Sequence, residues 1–268
     1  MIVFPHSKIN LGLQVMARRP DGYHEIETVL YPIGWKDALE AVPSDEFRFQ
    51  KEGGGGWPME DELCMKAYHA LEQVTDVPPV DMFLLKNIPH GAGLGGGSSD
   101  AAATLGLVNT LCELGLSASQ LHELAAQLGS DCPFFLHHEP MLATGIGTEL
   151  KPVALNLAGL HLLVVVPDVL IDTKWAYANV KPRQPRKPLH DVITQPIATW
   201  REELTNDFEE PAFAMYPQIA RLKTRMYDAG AVYASLSGSG SAVFGLFEEQ
   251  PRARDFGDGV RVFAERLR

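Results

Sequence analysis

The sequence predicts a two-domain protein that mixes strands with helices, and three features carry that prediction. A period-two run near the N-terminus reads as a strand, a glycine-rich loop joins a strand to a capped helix, and the pattern changes character after Lys151. In the first run Ile9, Leu11, Leu13 and Val15 fall on one face and Lys8, Asn10, Gly12 and Gln14 on the other, so Lys8 and Asn10 are neighbours on the polar side of a strand. Arg19-Pro20-Asp21-Gly22 is turn chemistry, because Pro fixes φ and Gly tolerates a positive φ. Tyr23 and His24 follow at the tip, and a second strand is expected over Ile26 to Ile33.

Further on, Glu46 to Gln50 reads as a short strand, Gly53 to Gly56 as a flexible loop, Leu63 to Leu71 as a helix and Met82 to Lys86 as a strand. That strand runs into Pro89 and the glycine loop. Ser98 is the expected N-cap of an alanine-rich helix reaching toward Glu113, with Asp100 in its first turn and Gly115 closing it. Ser117-x-x-Gln120 is a capping box for a helix that ends near Leu128-Gly129. Leu162 to Val166 is a continuous apolar run, a buried strand ended by Pro167. Pro182, Pro185 and Pro188 mark a loop, helices follow near Thr199 and over Gln218 to Ala229, and two strands flank Ser237-Gly238-Ser239-Gly240-Ser241. The expected domains are 1–155 and 156–268.

Bulk properties narrow the class. A chain of 268 residues with 46% hydrophobic and 21% charged residues can bury a sizeable core. Its formal net charge of −11 repels a phosphate backbone at long range, which argues against a nucleic-acid partner. Cys64, Cys112 and Cys132 are odd in number and far apart, a pattern of packing residues in a reducing cytoplasm rather than of a disulfide or zinc framework. The first residues, MIVFPHSKINLG, have neither an apolar core nor a small-residue cleavage site, so no signal peptide is expected, and the longest apolar run is too short to span a membrane.

The main chemical signal is Gly91-Ala92-Gly93-Leu94-Gly95-Gly96-Gly97-Ser98-Ser99. Its glycines bare the backbone N–H groups, and the helix that follows points its unpaired donors at the same place, which suits a nucleotide di- or triphosphate. A plain flexible linker would not be followed by a capped helix. The Walker pattern fails, since Gly97 rather than lysine precedes Ser98. Gly91-x-Gly93-x-x-Gly96 does match the dinucleotide fingerprint and keeps a nicotinamide-linked oxidoreductase open; that reading needs a parallel doubly wound sheet. A non-catalytic nucleotide sensor is a third possibility.

The segment Pro89-His90-Gly91-Ala92-Gly93-Leu94-Gly95-Gly96-Gly97-Ser98-Ser99-Asp100-Ala101-Ala102 resembles the P-x-x-x-G-L-G-S/G-S-S/A signature of the GHMP kinases, which phosphorylate small alcohols such as galactose, homoserine and mevalonate. Lys8-Ile9-Asn10-Leu11, Asp21-Gly22-Tyr23-His24 and Gly129-Ser130-Asp131-Cys132-Pro133-Phe134-Phe135 resemble the branch whose acceptor is a methylerythritol carrying a cytidine diphosphate group. Asn206-Asp207-Phe208-Glu209 and Leu236-Ser237-Gly238-Ser239-Gly240-Ser241 fit the same family in order and approximate spacing, so the resemblance covers nearly the whole chain. Two departures stand out: Asp61-Glu62-Leu63 replaces the family's Asp-Asn-Leu near the adenine, and Gly145-Ile146-Gly147-Thr148 lacks the usual Arg and Glu.

The resemblance implies a two-domain α+β GHMP-kinase fold with ATP, as its Mg2+ complex, and the acceptor in the cleft between the domains. It makes Lys8 and Asp131 the catalytic pair and has Pro89 through Ser99 wrap the ATP phosphates. Asn10, Tyr23 and His24 take the cytidine end of the acceptor. Thr173 and Tyr177 match a segment that sets an aromatic ring against the cytosine, with Trp175 as a competing ring, so that Tyr23 and Tyr177 hold the base from different domains. Local chemistry alone leaves Asp131 open as a turn cap before Cys132-Pro133, Lys8 as a solvated lysine and Asp100 as a helix-dipole carboxylate. An acceptor such as mevalonate or homoserine is the alternative within the family; Asp21-Gly22-Tyr23-His24 argues against it.

Overall fold

The computed structural model describes residues 1–53, 62–184, 187–252, 256 and 259–268. Gly54 to Gly56 and Asp61, both used in the sequence reading, lie outside them. The chain forms two compact units that interleave along the sequence: Met1–Ser7, Gly34–His90 and Gly95–His138 make the first, and Lys8–Ile33, Gly91–Leu94 and Glu139–Arg268 the second.

The first unit is a sheet covered by helices. Its strands run in the order Ile2–Val3, Ala38–Pro43, Val80–Lys86, Arg48–Gly53. Val80–Lys86 alternates buried Val80, Met82 and Leu84 with more exposed partners, as a strand with one covered face should. Helices Leu63–Glu72, Gly96–Leu111 and Ala118–Leu128 supply the cover, with Tyr68, Leu71, Leu105, Val108 and Leu124 joining Leu39, Val80 and Leu84 in one core. Each such leucine contributes about 1.5–3 kcal/mol by leaving water. The Ser117 capping box is present, with both reciprocal bonds to Gln120, and its helix ends at Leu128 with Gly129 as C-cap.

The helix after the glycine loop differs from expectation at both ends. It begins at Gly96, and its N-cap is Gly95 in the left-handed conformation, with no side-chain cap bond; Ser98 is already inside the helix. It stops at Leu111, and Gly115 serves the following turn at φ +72°. Asp100 therefore sits beyond the first turn, buried, and does not act as a dipole carboxylate at the helix end.

The second unit holds two sheets. One has the order His6–Arg18, His24–Lys36, Met141–Thr144, Glu149–Pro152. The other, Tyr233–Leu236, Val243–Phe247, His161–Pro167, Val260–Arg266, is antiparallel throughout and packs Leu163, Val165 and Val243 against Phe208, Ile219 and Met226. The helix Pro217–Asp228 supplies Ile219, Leu222 and Met226, spaced three and four apart on one face.

The first long strand exceeds the predicted Lys8–Val15 run and is buried on both faces. Ser7, Lys8, Asn10 and Gln14 are covered together with Ile9, Leu11, Leu13 and Val15, so Lys8 is not a solvated surface lysine. Gly12 has φ +70°, and a Cβ there would fall 2.6 Å from Leu189 Cδ1. Among the ladders whose register is described, only Arg48–Gly53 with Val80–Lys86 is parallel. This is not the doubly wound parallel sheet that a dinucleotide fingerprint requires, and the oxidoreductase reading falls with it. No helix among the described residues is long and apolar enough to cross a membrane.

Candidate active site

The glycine loop takes the conformation its composition allows. Gly91, Gly93 and Gly95 have φ of +63°, +77° and +71°, where a side chain is strained. Within the second unit, the Ala92 carbonyl accepts from Ala242 N–H at 3.0 Å and the Leu94 carbonyl from Lys8 N–H at 3.0 Å. Gly93 offers its carbonyl to Lys8 Nζ at 2.9 Å and to Ser237 Oγ at 2.8 Å. A Cβ on Gly93 would lie 2.0 Å from the Ser237 carbonyl oxygen, which is backbone and cannot swing aside. Gly93→Ala is expected to lower Tm by several degrees, since the left-handed backbone alone costs about 1–2 kcal/mol. Gly97→Ala is the control: it is helical, and its Cβ would meet Leu63 at an ordinary 3.5 Å, so its Tm should hold or rise. Equal Tm losses in a thermal melt would refute this account of the loop.

In the first unit the loop feeds the helix Gly96–Leu111 through Gly95, which has no side chain to cap the first N–H donors. Ser98 and Ser99 belong to that helix; Ser99 is buried and Ser98 hydrogen-bonds the Cys132 thiol. Burial pushes that thiol up to about 12, so Cys132 stays a neutral packing residue. Pro89 is buried and His90 exposed just ahead of the loop.

Lys8 is 3% exposed, and besides Gly93 its ammonium bonds Asn10 Oδ1 at 2.5 Å. Asn10 is fixed in turn: its Nδ2 donates to Thr28 Oγ1 at 2.9 Å, and Thr28 donates to the Gly12 carbonyl at 2.6 Å. The Ser237–Ser241 loop closes on the same place, since the Cβ position of Gly238 lies 3.4 Å from Lys8 Nζ. Asn206 holds that loop. Its amide donates to the Leu236 carbonyl at 2.9 Å and the Gly238 carbonyl at 2.8 Å, and its oxygen accepts from Phe208 N–H. The sequence flagged Asn206 only through its motif; the two bonds that hold the loop span thirty residues or more and have no local signature.

Asp131 belongs to the first unit, Lys8 to the second. Asp131 precedes the 3₁₀ turn Cys132–Leu136 and makes no side-chain cap bond to it, which removes the capping alternative. Its side chain is half-buried.

The aromatic residues depart from expectation. Tyr23, His24 and Tyr177 all lie in the second unit, and the ring stacked on Tyr177 is His24, with centroids 5.0 Å apart and planes at 27°. Phe208 supports Tyr177 edge-on at 4.9 Å. Tyr23 stays 58% exposed on a turn braced by Arg19, which bonds Asp21 and Glu25, and by Asp21, which accepts from Tyr23 N–H. Burial, with Arg18 adding to it, holds His24 below its ordinary pKa, so its ring is neutral at neutral pH. Trp175 packs edge-on against Tyr216. Thr173 opens the helix Thr173–Asn179, capped by Asp172, and its hydroxyl lies 3.5 Å from that of Ser239. Glu62, where the family pattern has Asn, is buried and pairs with Lys51 at 2.8 Å.

One buried cluster was not expected from the sequence: Lys86 Nζ bonds Asp100 Oδ2 at 2.6 Å and also Asp37 Oδ2.

Comparison with known proteins agrees with this geometry. The family model for the GHMP kinases N terminal domain matches residues 62–139, and that for the GHMP kinases C terminal matches 189–263. A 4-diphosphocytidyl-2-C-methyl-D-erythritol kinase of Parabacteroides distasonis is 48% identical over 250 residues, covering 93% of this chain and 92% of the relative. One of Bacteroides thetaiotaomicron is 46% identical over all of both chains. A crystal structure of 4-(cytidine 5'-diphospho)-2C-methyl-D-erythritol kinase superposes with a TM-score of 0.83 at 34% identity, covering 98% of each chain. The mevalonate kinase of Methanococcus jannaschii shares the fold alone, with a TM-score of 0.74 at 15% identity over 100% of this chain and 98% of that one. With both family models matched and relatives near half identity along its length, this chain belongs to the GHMP kinases, the ATP-dependent small-molecule kinases.

Proposed function

We propose that this kinase transfers the γ-phosphoryl group of ATP to the position-2 hydroxyl of 4-diphosphocytidyl-2-C-methyl-D-erythritol, in the non-mevalonate route to isoprenoid precursors. The acceptor rests on relatives of that name that match along the whole chain. At the level of residues, the observation that carries the reading is the buried Lys8 ammonium held on the Gly93 carbonyl of the glycine loop.

Phosphoryl transfer asks a protein for positioning and for charge stabilisation at the γ-phosphate. Lys8 supplies a fixed positive charge that offsets charge developing in the transition state. Asp131, uncommitted to capping, accepts the proton of the acceptor hydroxyl or orients it. Pro89 through Ser99 wrap the phosphates, and the uncapped N-terminus of the helix Gly96–Leu111 fits an anion. Mg2+ enters as the ATP complex, the usual way this ion meets a kinase, and neutralises phosphate charge when bound. Asn10, Tyr23, His24, Thr173 and Tyr177 take the cytidine end of the acceptor. In sequence terms residues 1–155 are assigned as the ATP-binding part and 156–268 as the C-terminal part, with one family model in each, while the compact units interleave across that division.

The test combines binding and turnover. ATP at one hundred times its Kd is expected to stabilise the protein by about 2.7 kcal/mol, seen as a rise in Tm, while NAD gives none. ATP consumption should then depend on the cytidine-linked acceptor. A Tm rise with NAD as large as that with ATP would refute the nucleotide assignment. Turnover of mevalonate or homoserine instead would refute the acceptor.

A further inference from the structure

Three charged side chains are buried together where no charge is expected. Lys86 is 7% exposed, and Asp37 and Asp100 are 0% exposed. Each carboxylate bonds the same ammonium. Asp37 does more: its Oδ1 accepts from the N–H groups of both Asn87, at 2.5 Å, and Ile88, at 2.8 Å. Asn87 and Ile88 lead into the glycine loop, and Asp100 lies on the helix Gly96–Leu111 that leaves it. At the start of that helix a Cβ on Gly96 would fall 2.9 Å from Ile88 Cγ2 and 3.2 Å from Lys86 Nζ, so the helix start packs directly on this cluster.

We propose that Lys86, Asp37 and Asp100 are positioning residues for ATP, a buried clamp that fixes the strand end entering the glycine loop relative to the helix that leaves it. The inference rests on the reading above that ATP phosphates sit at this loop. A buried charge persists only where it is paired, and here one cation faces two carboxyls. Burial, with Asp37 adding to it, raises the Asp100 pKa well above the ordinary range against the pull of Lys86. A shift in that direction lessens the negative charge that two carboxyls would otherwise set around one ammonium. The clamp holds the helix start in place, and the Lys86 ammonium offsets carboxyl charge near the phosphates that the same N-terminus attracts.

A conservative and a disruptive change at the same position make the test specific. In Asp100→Asn the amide oxygen can still accept from Lys86 Nζ and the side chain keeps its shape, so Tm and the KM for ATP should stay close to wild type. In Asp100→Leu and Lys86→Met the tie between strand and helix is cut. The KM for ATP should rise about tenfold or more, because small misplacements of a binding group are costly, while the acceptor KM changes less than about twofold. If Lys86→Met fails to fold, the Asn and Leu variants of Asp100 still decide the matter. An unchanged ATP KM in folded Asp100→Leu would overturn the clamp, as would an Asp100→Asn variant as impaired as Asp100→Leu. Wild-type protein that shows no ATP-dependent Tm shift would point instead to failure of the nucleotide reading itself.

Discussion

Replacing Asp131 with asparagine is expected to lower kcat by about 10²- to 10⁴-fold, the usual loss when an acid–base group is removed. The amide keeps the shape of the side chain and abolishes its basicity. Asp131 makes no cap bond to the turn Cys132–Leu136 and the substitution is isosteric, so Tm should change little. The KM for ATP should also hold, since the phosphates are assigned to the glycine loop and Lys8. Steady-state kinetics with a parallel thermal melt separates the roles. A variant with a lowered Tm and full specific activity in its folded fraction would mean that Asp131 is structural.

The second large effect concerns the cytidine group of the acceptor. Removing it, by offering free methylerythritol phosphate, is expected to reduce kcat/KM by at least about 10³-fold, because stacking contacts are each worth roughly 1–3 kcal/mol and a site built for polar partners rejects ligands lacking them. His24 and Tyr177 form a closed stack at 5.0 Å, so these two rings act as one platform and do not sandwich a base between them. Tyr23, exposed on its turn, is the second ring of the proposed cytosine site. Tyr177→Ala removes the support of His24 and should raise the acceptor KM about 5- to 150-fold with the ATP KM nearly unchanged. Tyr23→Ala should act in the same direction, and Tyr23→Phe should be mild because the ring face survives. Comparable kcat/KM with and without the cytidine group would leave a GHMP kinase with an unknown acceptor.

Much of the local structure was legible in the sequence where a short-range rule applied. The Ser117 capping box, the period-two run at Ile9 to Val15 and the apolar strand ended by Pro167 all depend on neighbours within a few residues, and each formed as expected. The helix start was misplaced because Ser98 looks like an N-cap by composition, whereas Gly95 in the left-handed region already ends the loop. A glycine cap has no side chain to announce it. Local chemistry left a solvated lysine open for Lys8 and read Asp100 as a helix-dipole carboxylate, because a one-residue view assigns charged groups to water. Both are buried by segments distant in the chain: Lys8 meets Gly93, and Asp100 meets Lys86 and Asp37.

By itself the sequence determined the family and the glycine loop, because these are properties of residue type and spacing along the chain. The tertiary structure alone decided what the polar and aromatic side chains touch. It chose His24 over Tyr23 as the ring against Tyr177, gave Asn206 the task of holding the Gly238 loop, and gathered Asp37, Lys86 and Asp100 into one buried cluster. The physical reason is common to all three. Contacts between residues tens of positions apart are selected by burial and by the satisfaction of polar groups that burial strands, and that selection exists only once the chain has folded.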